Sequence, residues 1–326
     1  MKRFRGPVLA AGGFAAALAG GAAFLVQPVW PGERAGPPVN PDPARLERDV
    51  RALVAIPPGR GQLQVDGLDR AAAFITDELR AAGLAPADQP YVVEARTYRN
   101  VRARLGTGKG PLVVVGAHYD TCEALPGADD NASGVAGLLE LARLLVVHPP
   151  QAPVELVAWS LEEPPHFRKD SMGSAHHAAW LAGQGAAVRA ALSVEMIGVF
   201  SDEPGTQRFP FAVLGLLYGT TADFVAVVGD TGQVGLVRKL KGAMASATTL
   251  SVRSINAPRV VQGIDFSDHL NFWKHGWPAV MVTDTSFNRY PHYHEATDTP
   301  EKLDYRRMAE VVRGLFSGVH ALAAAP

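Results

Sequence analysis

The stretch "GPLVVVGAHYD", residues 110–120, decides the fold class. A short β-branched run bounded by Gly and Pro is typical of a strand that is buried on both faces. Shortly after it, "GVAGLLELARLLVV", residues 134–147, predicts a helix, because its apolar residues recur at helical spacing. A buried strand followed by a helix is the repeating unit of a sheet that is covered by helices.

The same alternation continues along the chain. Further strands are predicted at residues 89–105, 152–160, 188–198, 224–230, 249–255 and 277–285. Further helices are predicted at residues 44–56, 69–83, 171–183, 235–247, 266–276 and 305–325. Because several of these strands are apolar throughout, we predict an α/β fold with a mixed, largely parallel twisted sheet and helices on both faces.

Composition limits the classes of function. The chain has 326 residues, and 47% of them are hydrophobic, so a sizeable core can form. The formal net charge of −1 gives no general attraction to nucleic acid, and we expect no such partner. The single cysteine, Cys122, excludes an intrachain disulfide framework. A packing role is the default for Cys122, and a soft metal ligand close to His118 is the alternative.

The N-terminus resembles an export signal. A basic start, "MKRFRG", precedes an uncharged, largely apolar run at residues 7–30. The run approaches the ~20 residues that span a bilayer, so we favour an uncleaved membrane anchor with the catalytic domain outside the cytoplasm. Cleavage, which would give a secreted or periplasmic protein, is the alternative. Residues 31–43 predict a Pro-rich linker, and residues 44–326 predict one catalytic domain.

Polar side chains follow the apolar strands. They are His118, Asp120, Glu162, Glu163, Glu195, His292 and His294. In open α/β sheets the ligand site lies at the carboxyl ends of the strands, so we expect these groups to converge. Each residue alone has an ordinary explanation as a polar loop residue. Glu195 is harder to explain in that way, because a buried carboxylate without a partner is costly and a cation would remove that cost.

The segment "PGADDNASG", residues 126–134, places Asp129 and Asp130 where a helix begins. Acidic residues suit the positive end of a helix dipole, and a metal ligand is the other interpretation. Histidine and carboxylate ligands without a thiolate suit zinc, and less often manganese or cobalt. Two ions ~3.5–4 Å apart can share one carboxylate and one water. A carboxylate that is not a ligand can then carry the proton.

These residues resemble the M28 zinc peptidases, a family that includes secreted aminopeptidases and has glutaminyl cyclases among its relatives. The matching motifs are "GAHYD", "PGADDNASG", "LEE", "MGS", "SVEMIG", "SDH", "GWPAV" and "HEATDTP". They occur in the family's order over residues 99–305, and the set is specific although "LEE" or "SDH" alone would mean little. The resemblance implies the zinc exopeptidase fold, which is phosphorylase/hydrolase-like.

The resemblance also implies roles. Two Zn²⁺ ions, with Mn²⁺ or Co²⁺ as substitutes, would be bound by His118, Asp130, Glu163, Glu195 and His294. Asp130 would bridge the ions, with Asp129 as a neighbour that binds neither, and the peptide bond after Asp130 would be cis. Glu162 would be the general base, which takes a proton from the bridging water. Asp120 would orient a ligand imidazole, and Asp268 would lie near the site without binding metal. His294 is preferred to His292 because it keeps the family's spacing to Asp298.

Two departures from the family pattern concern specificity. Ile264 stands where some aminopeptidases have an oxyanion-assisting tyrosine, and the segment after Glu163 is longer than in compact relatives. We expect an aminopeptidase that acts on peptides with a free N-terminus. A glutaminyl cyclase with one zinc and a carboxypeptidase are the alternatives, with Arg168, Lys169 or Arg289 available to hold a terminal carboxylate. The intact ligand set argues against a non-catalytic binding ectodomain. Composition and motifs do not determine the oligomeric state.

Overall fold

A computed structural model describes residues 19–106 and 108–324. Within these residues eight strands form one sheet. The strands are β1 (Ala87–Val93), β2 (Arg96–Leu105), β3 (Leu112–His118), β4 (Val154–Trp159), β5 (Val188–Glu195), β6 (Phe224–Gly229), β7 (Ser251–Asn256) and β8 (Ala279–Thr283). Their order across the sheet is β1-β2-β4-β3-β5-β8-β6-β7.

The middle of the sheet is parallel. Strands β4, β3, β5 and β8 run in the same direction, and β6 pairs in parallel with β7. The pairs β1–β2, β2–β4 and β6–β8 are antiparallel. The predicted mixed α/β sheet is therefore confirmed. The single strand predicted at residues 89–105 is instead a hairpin, in which Glu94 and Ala95 adopt φ values of 50° and 63° and reverse the chain.

Helices cover the sheet. They are α1 (described at residues 19–26), α2 (Pro43–Val54), α3 (Val65–Ala81), α4 (Gly134–Val147), α5 (Gly173–Gly183), α6 (Val213–Tyr218), α7 (Val234–Ala245), α8 (His269–Trp273) and α9 (Tyr305–Leu322). A kinked turn, Ala128–Ser133, which is called the π-helical turn below although Asp130 and Asn131 have non-helical backbone angles, precedes α4. Short 3-10 turns lie at Ser286–Asn288 and Pro300–Lys302. Of the helices after α1, α6 was not predicted, because six residues give too little periodicity to detect.

Both faces of the central strands are buried. In β3, Val113, Val115 and Ala117 belong to the core under α2, α3, α4, α7 and α9, whereas Leu112 and Val114 belong to the core under α5 and α8. Successive side chains of a strand point to opposite faces, so an apolar run such as β3 is what a sheet between two helical layers requires. Its carboxyl end is thus held rigidly from both sides.

The predicted signal or anchor lies mostly outside the described residues, since residues 1–18 are not described. Between residues 19 and 324, leaving out 107, no helix is long and apolar enough to cross a membrane. The chain leaving α1 contacts the domain, because Lys241 Nζ donates to Val26 O at 2.8 Å. Part of the predicted linker packs on α9, where Arg313 Nε donates to Val39 O at 3.0 Å. The predicted domain limits stay a prediction.

Candidate metal centre

The predicted site residues meet at the carboxyl edge of the parallel strands. His118 is the last residue of β3 and Glu195 is the last residue of β5. Glu162 and Glu163 follow β4 directly. Because β4, β3 and β5 are neighbours and parallel, their ends bring these four side chains to one place, as the strand pattern predicts.

Two further residues complete the cluster from loops. Asp130 lies in the π-helical turn before α4, and His294 lies in the loop after β8. His292 does not join them. Its Nδ1 atom is 2.7 Å from Thr297 Oγ1, and the residue is half-buried. Of the two histidines, His294 is the one that contacts Asp130 and Glu163.

Asp130 lies between the two histidines. His118 Nε2 is 3.3 Å from Asp130 Oδ1 and 3.3 Å from Glu195 Oε1. On the other side, His294 Nε2 is 3.1 Å from Asp130 Oδ2 and 3.1 Å from Glu163 Oε2. One carboxylate thus belongs to two groups of ligand atoms, each with one histidine and one further glutamate.

These spacings fit two zinc ions. Two ligand atoms at ~2.0–2.1 Å from a tetrahedral zinc ion lie about 3.3 Å apart, which matches the contacts on both sides of Asp130. Among the described residues, Asp130 Oδ1, Glu163 Oε1 and His294 Nε2 are buried without a hydrogen-bond partner. Buried polar atoms without partners are rare in native proteins, and a cation at each position would satisfy them.

Glu162 stands apart from both groups. Its Oε2 atom is 4.0 Å from His118 Nε2, whereas the other contacts between histidine and carboxylate in the two groups are 3.1–3.3 Å long. Burial raises the pKa of Glu162 well above its ordinary value; His118 opposes the rise, and Glu195 and Glu163 add to it. A carboxyl group that is placed beside the predicted ligands, and not among them, suits a proton carrier.

Asp120 holds the segment that carries the two glutamates. Its Oδ1 accepts a hydrogen bond from the Glu162 amide and its Oδ2 accepts one from the Glu163 amide, both at 3.1 Å. The Asp120 backbone carbonyl lies 3.2 Å from His118 Nδ1. The Asp120 side chain therefore holds the segment after β4, whereas its backbone carbonyl makes the shorter contact with the His118 ring, and its carboxylate Oδ1 is 3.5 Å from the same ring nitrogen. That the carboxylate orients the imidazole stays a prediction.

Residues of the "SDH" motif, 267–269, support the first group. Ser267 Oγ donates to Glu195 Oε2 at 2.7 Å, a contact that the motif alone does not reveal. Asp268 is buried near the site, and burial raises its pKa to about 7, against the opposing effects of His118 and Ser174. Among the described residues, neither carboxylate oxygen of Asp268 has a hydrogen-bond partner, and its role without a metal bond stays a prediction.

Asp298 fixes the backbone of the bridging residue. It accepts hydrogen bonds from the amides of Asp129 at 2.9 Å and Asp130 at 3.2 Å, and the Tyr290 hydroxyl donates to it at 2.9 Å. The peptide bond between Asp130 and Asn131 is cis, as the resemblance implies. The spacing from His294 to Asp298 thus has a structural reason, because one loop supplies both a ligand atom and the brace for Asp130.

Arg60 is a support that sequence reasoning missed. It is fully buried, and it donates from Nε to Tyr119 O at 3.0 Å and from Nη2 to Gly127 O at 2.8 Å. These two carbonyls flank the loop between β3 and Asp130. Gly127 has φ of 56°, a conformation that favours glycine. This role could not be predicted from the sequence, since an isolated arginine usually lies on the surface.

A cavity of about 170 Å³ opens beside the cluster. Glu162, Glu163, Glu195 and His294 line one end of it. The remaining wall is mainly apolar and aromatic, with Phe167, Phe209, Leu214, Phe266 and Phe287 among its members. The longer segment after Glu163 supplies Phe167, in agreement with the expectation that it helps to build the pocket.

Two of the three basic residues proposed for carboxylate binding, Arg289 and Arg168, have other partners. Arg289 is buried, and it donates to Gln207 Oε1 at 2.9 Å and to the backbone carbonyls of Val199 and Phe224, each at 3.0 Å. Arg168 pairs with Asp265 near the surface. Neither arginine is among the described residues that line the cavity.

The model of peptidase family M28 matches residues 100–318, and the chain belongs to this family. It is therefore a peptidase of a zinc-dependent class. The uncharacterized protein YfbL of Escherichia coli (strain K12) is 43% identical over 296 residues, covering 88% of this chain and 91% of that protein. The probable aminopeptidase YDR415C of Saccharomyces cerevisiae is 26% identical over 64% of this chain, which spans only 53% of that protein.

Solved structures share the fold. The aminopeptidase from Aneurinibacillus sp. strain AM-1 superposes with a TM-score of 0.69 at 15% identity, covering 88% of this chain and 95% of that one. The glutaminyl cyclase from Bacteroides thetaiotaomicron gives 0.65 at 16% identity, covering 87% and 99%. Since both activities occur on this fold with similar scores, the architecture alone does not distinguish them.

Proposed function

We propose that this protein is an exopeptidase, and specifically an aminopeptidase, that works with two zinc ions. The observation that carries the proposal is the position of Asp130, whose two oxygens face His118 and His294 separately. His118 and Glu195 would complete one site, and Glu163 and His294 the other. Zinc bound there would polarise a substrate carbonyl and acidify a water molecule.

Glu162 carries the proton in the proposed reaction. It lies beside the proposed ligands and lines the cavity, and two bound cations would favour its ionised form, which can accept a proton. It takes a proton from the attacking water and passes it to the leaving amine, so that the peptide bond breaks into a free carboxylate and a free amine. Asp120 keeps the base in place through the Glu162 amide.

Tyr293 replaces the assistance that Ile264 cannot give. Its ring stacks on His294 with centroids 3.9 Å apart, and it lines the same cavity as Glu162. Burial raises the pKa of Tyr293, and the surrounding carboxylates, first Asp130, raise it further. The hydroxyl therefore stays protonated and can donate a hydrogen bond to the negative oxygen of the transition state.

The basic residues proposed to hold a terminal carboxylate lie outside the cavity. Arg168, Lys169 and Arg289 are not among the described residues that line it. Arg253 does line the cavity, and its Nη2 atom donates to Asp223 Oδ1 at 3.2 Å. This arrangement supports an aminopeptidase over a carboxypeptidase.

One experiment tests the proposal. The purified full-length chain is analysed for bound metal and is then offered aminoacyl, N-blocked, carboxyl-terminal and N-terminal glutamine peptides, with and without a chelator. We expect about two zinc ions per chain and chelator-sensitive cleavage of aminoacyl substrates. Activity confined to N-blocked peptides would overturn the aminopeptidase. One zinc ion with release of ammonia from the glutamine peptide would indicate a cyclase.

The apolar wall predicts a preference for large apolar N-terminal residues. Leu214 lines the cavity from α6, whereas Leu216 on the same helix is 86% exposed. Replacing Leu214 by alanine is expected to lower kcat/KM for a leucyl or phenylalanyl substrate by about 10-fold, the range for lost methylene contacts in a pocket. The matched variant Leu216→Ala should leave kcat/KM unchanged. Equal effects of the two substitutions in steady-state assays would contradict this use of the cavity.

Zinc binding beside His294 is expected to strengthen as pH rises. Burial lowers the pKa of His294, but contacts with Asp130 and Glu163 outweigh burial and raise it to about 10. Below that pH zinc must displace a proton, so affinity should rise by up to about tenfold per pH unit for each proton displaced and level off above about pH 10. Competition with a chelator of known pH dependence measures this. An affinity that is equal at about pH 6 and about pH 9 would contradict it.

We also propose that the protein is exported, with the catalytic domain outside the cytoplasm. Support comes from the basic start and the apolar run of residues 7–30. Fractionation of cells that express the full-length chain tests the proposal. The proposal would be refuted if external protease cleaved the catalytic domain only after the cytoplasmic membrane had been broken.

A further inference from the structure

Cys122 lies in a small cavity behind the second ligand group. The cavity holds about 10 Å³, and its wall includes Cys122, Leu125, Glu163, His294 and Asp298. That volume is close to the minimum that accommodates one water molecule. Glu163 and His294 line both this rear cavity and the apolar cavity, whereas Cys122 lines the rear cavity and is absent from the apolar one. The thiol therefore approaches the second group from the side away from the substrate.

The thiol is close to two of the predicted ligands. Cys122 Sγ, a Glu163 carboxylate oxygen and a His294 ring nitrogen all lie within 4.8 Å of one another. Sulfur and nitrogen ligands of one tetrahedral zinc ion are about 3.6 Å apart, so a movement of about 1 Å brings the thiol into range. Glu163 is 3% exposed, and its Oε1 atom has no hydrogen-bond partner within the described chain.

We propose that Cys122 is a further ligand of the second metal ion, together with Glu163 and His294. The inference rests on the proposed two-metal function. As the sulfur–metal bond forms, the S–H bond breaks and its proton leaves to the solvent, with no change in oxidation state. The first group has nitrogen and oxygen atoms alone among its described members, His118, Asp130 and Glu195. The ligands of the two sites therefore differ in how strongly they favour soft metal ions.

This difference changes the expected metal preference. A thiolate favours zinc, whereas carboxylates and water suit manganese. The sequence suggests manganese as a general substitute for zinc. With a sulfur ligand at the second site, manganese should replace zinc at the first site more readily than at the second.

Cobalt loading of the purified full-length chain tests the ligand directly. A chain with two Co²⁺ ions should show sulfur-to-cobalt charge-transfer absorption in the near ultraviolet, and Cys122→Ser should lose that band while keeping the visible cobalt bands. Two bound Co²⁺ ions without the band, or a band that survives in the variant, would overturn the proposal and leave the two-metal function standing. Failure to bind Co²⁺ or Zn²⁺ at all would overturn both.

Two further measurements guard against an effect of Cys122→Ser on folding. In the unaltered chain, zinc should slow the reaction of Cys122 with a thiol reagent, and equal rates with and without zinc would count against the proposal. In the variant, the affinity of the second site for zinc should fall by at least about tenfold, while its affinity for manganese should change less. An unchanged ratio of the two affinities would mean that the thiol only packs against the site.

Discussion

Replacing Glu162 by glutamine is expected to lower kcat by about 10²–10⁴-fold, the usual contribution of a positioned general base. The glutamine side chain keeps the size of the glutamate but cannot accept the proton. Asp120 holds Glu162 through the backbone amide, so the substitution leaves that support intact. KM should change little, because the lost interaction belongs to the chemical step. Steady-state kinetics on an aminoacyl substrate measure the effect.

Metal content separates this result from a loss of zinc. The Glu162→Gln variant should retain both ions, since Glu162 Oε2 is 4.0 Å from the nearest histidine contact. The neighbouring variant Glu163→Gln should lose the ion next to His294, because Glu163 Oε2 lies 3.1 Å from His294 Nε2. Near-normal turnover in Glu162→Gln would show that Glu162 is not the general base. Loss of metal from that variant would indicate that Glu162 binds metal.

Replacing Asp130 by asparagine is expected to weaken binding of both ions together. One Asp130 oxygen faces His118 and the other faces His294. An asparagine keeps the shape but has a single acceptor oxygen and no charge. Even partners that only orient ligands contribute about 10–100-fold to metal affinity, so the loss of a bridging ligand should cost at least about 100-fold at one site. Titration with zinc, followed by metal analysis, measures it.

The adjacent residue, Asp129, provides a matched control for the Asp130 variant. Its Oδ1 accepts a hydrogen bond from the Gly198 amide at 2.9 Å. Burial raises the pKa of Asp129 well above its ordinary value, and Asp284 and Asp298 raise it further. Asparagine keeps the shape of Asp129 and an acceptor oxygen for the Gly198 amide, so Asp129→Asn should bind both ions nearly normally. A similar loss of zinc in the Asp129 and Asp130 variants would show that the bridging position is wrongly assigned.

The strands could be predicted because buried strands have a distinct composition. Residues 112–118 are apolar up to His118, and both faces are covered. The direction of β6 could not be predicted, since an apolar run reads the same in a parallel or an antiparallel pair. The hairpin at Glu94 and Ala95 was missed because neither is a usual turn residue.

The positions of the predicted ligands, and of Asp120 and Asp268 beside them, could be inferred from strand ends and motifs, whereas other supporting residues could not. Ser267 and Asp284 are ordinary residue types, and their partners Glu195 and Asp129 are far away in the sequence. Their roles depend on which loops meet, and only the folded chain defines that. The assignment of zinc ligands stays a prediction. It concerns His118, Asp130, Glu163, Glu195 and His294.

Arg60 has a consequence for the extent of the catalytic unit. It lies upstream of residues 100–318, the part that matches the family, yet it joins the carbonyls of Tyr119 and Gly127 on either side of the loop that leads to Asp130. Without it, two buried carbonyls would lose their donor, at about 1–3 kcal/mol each. We therefore expect a fragment that starts after residue 60 to hold the loop before Asp130 less firmly and to bind the proposed zinc ions more weakly than the whole chain.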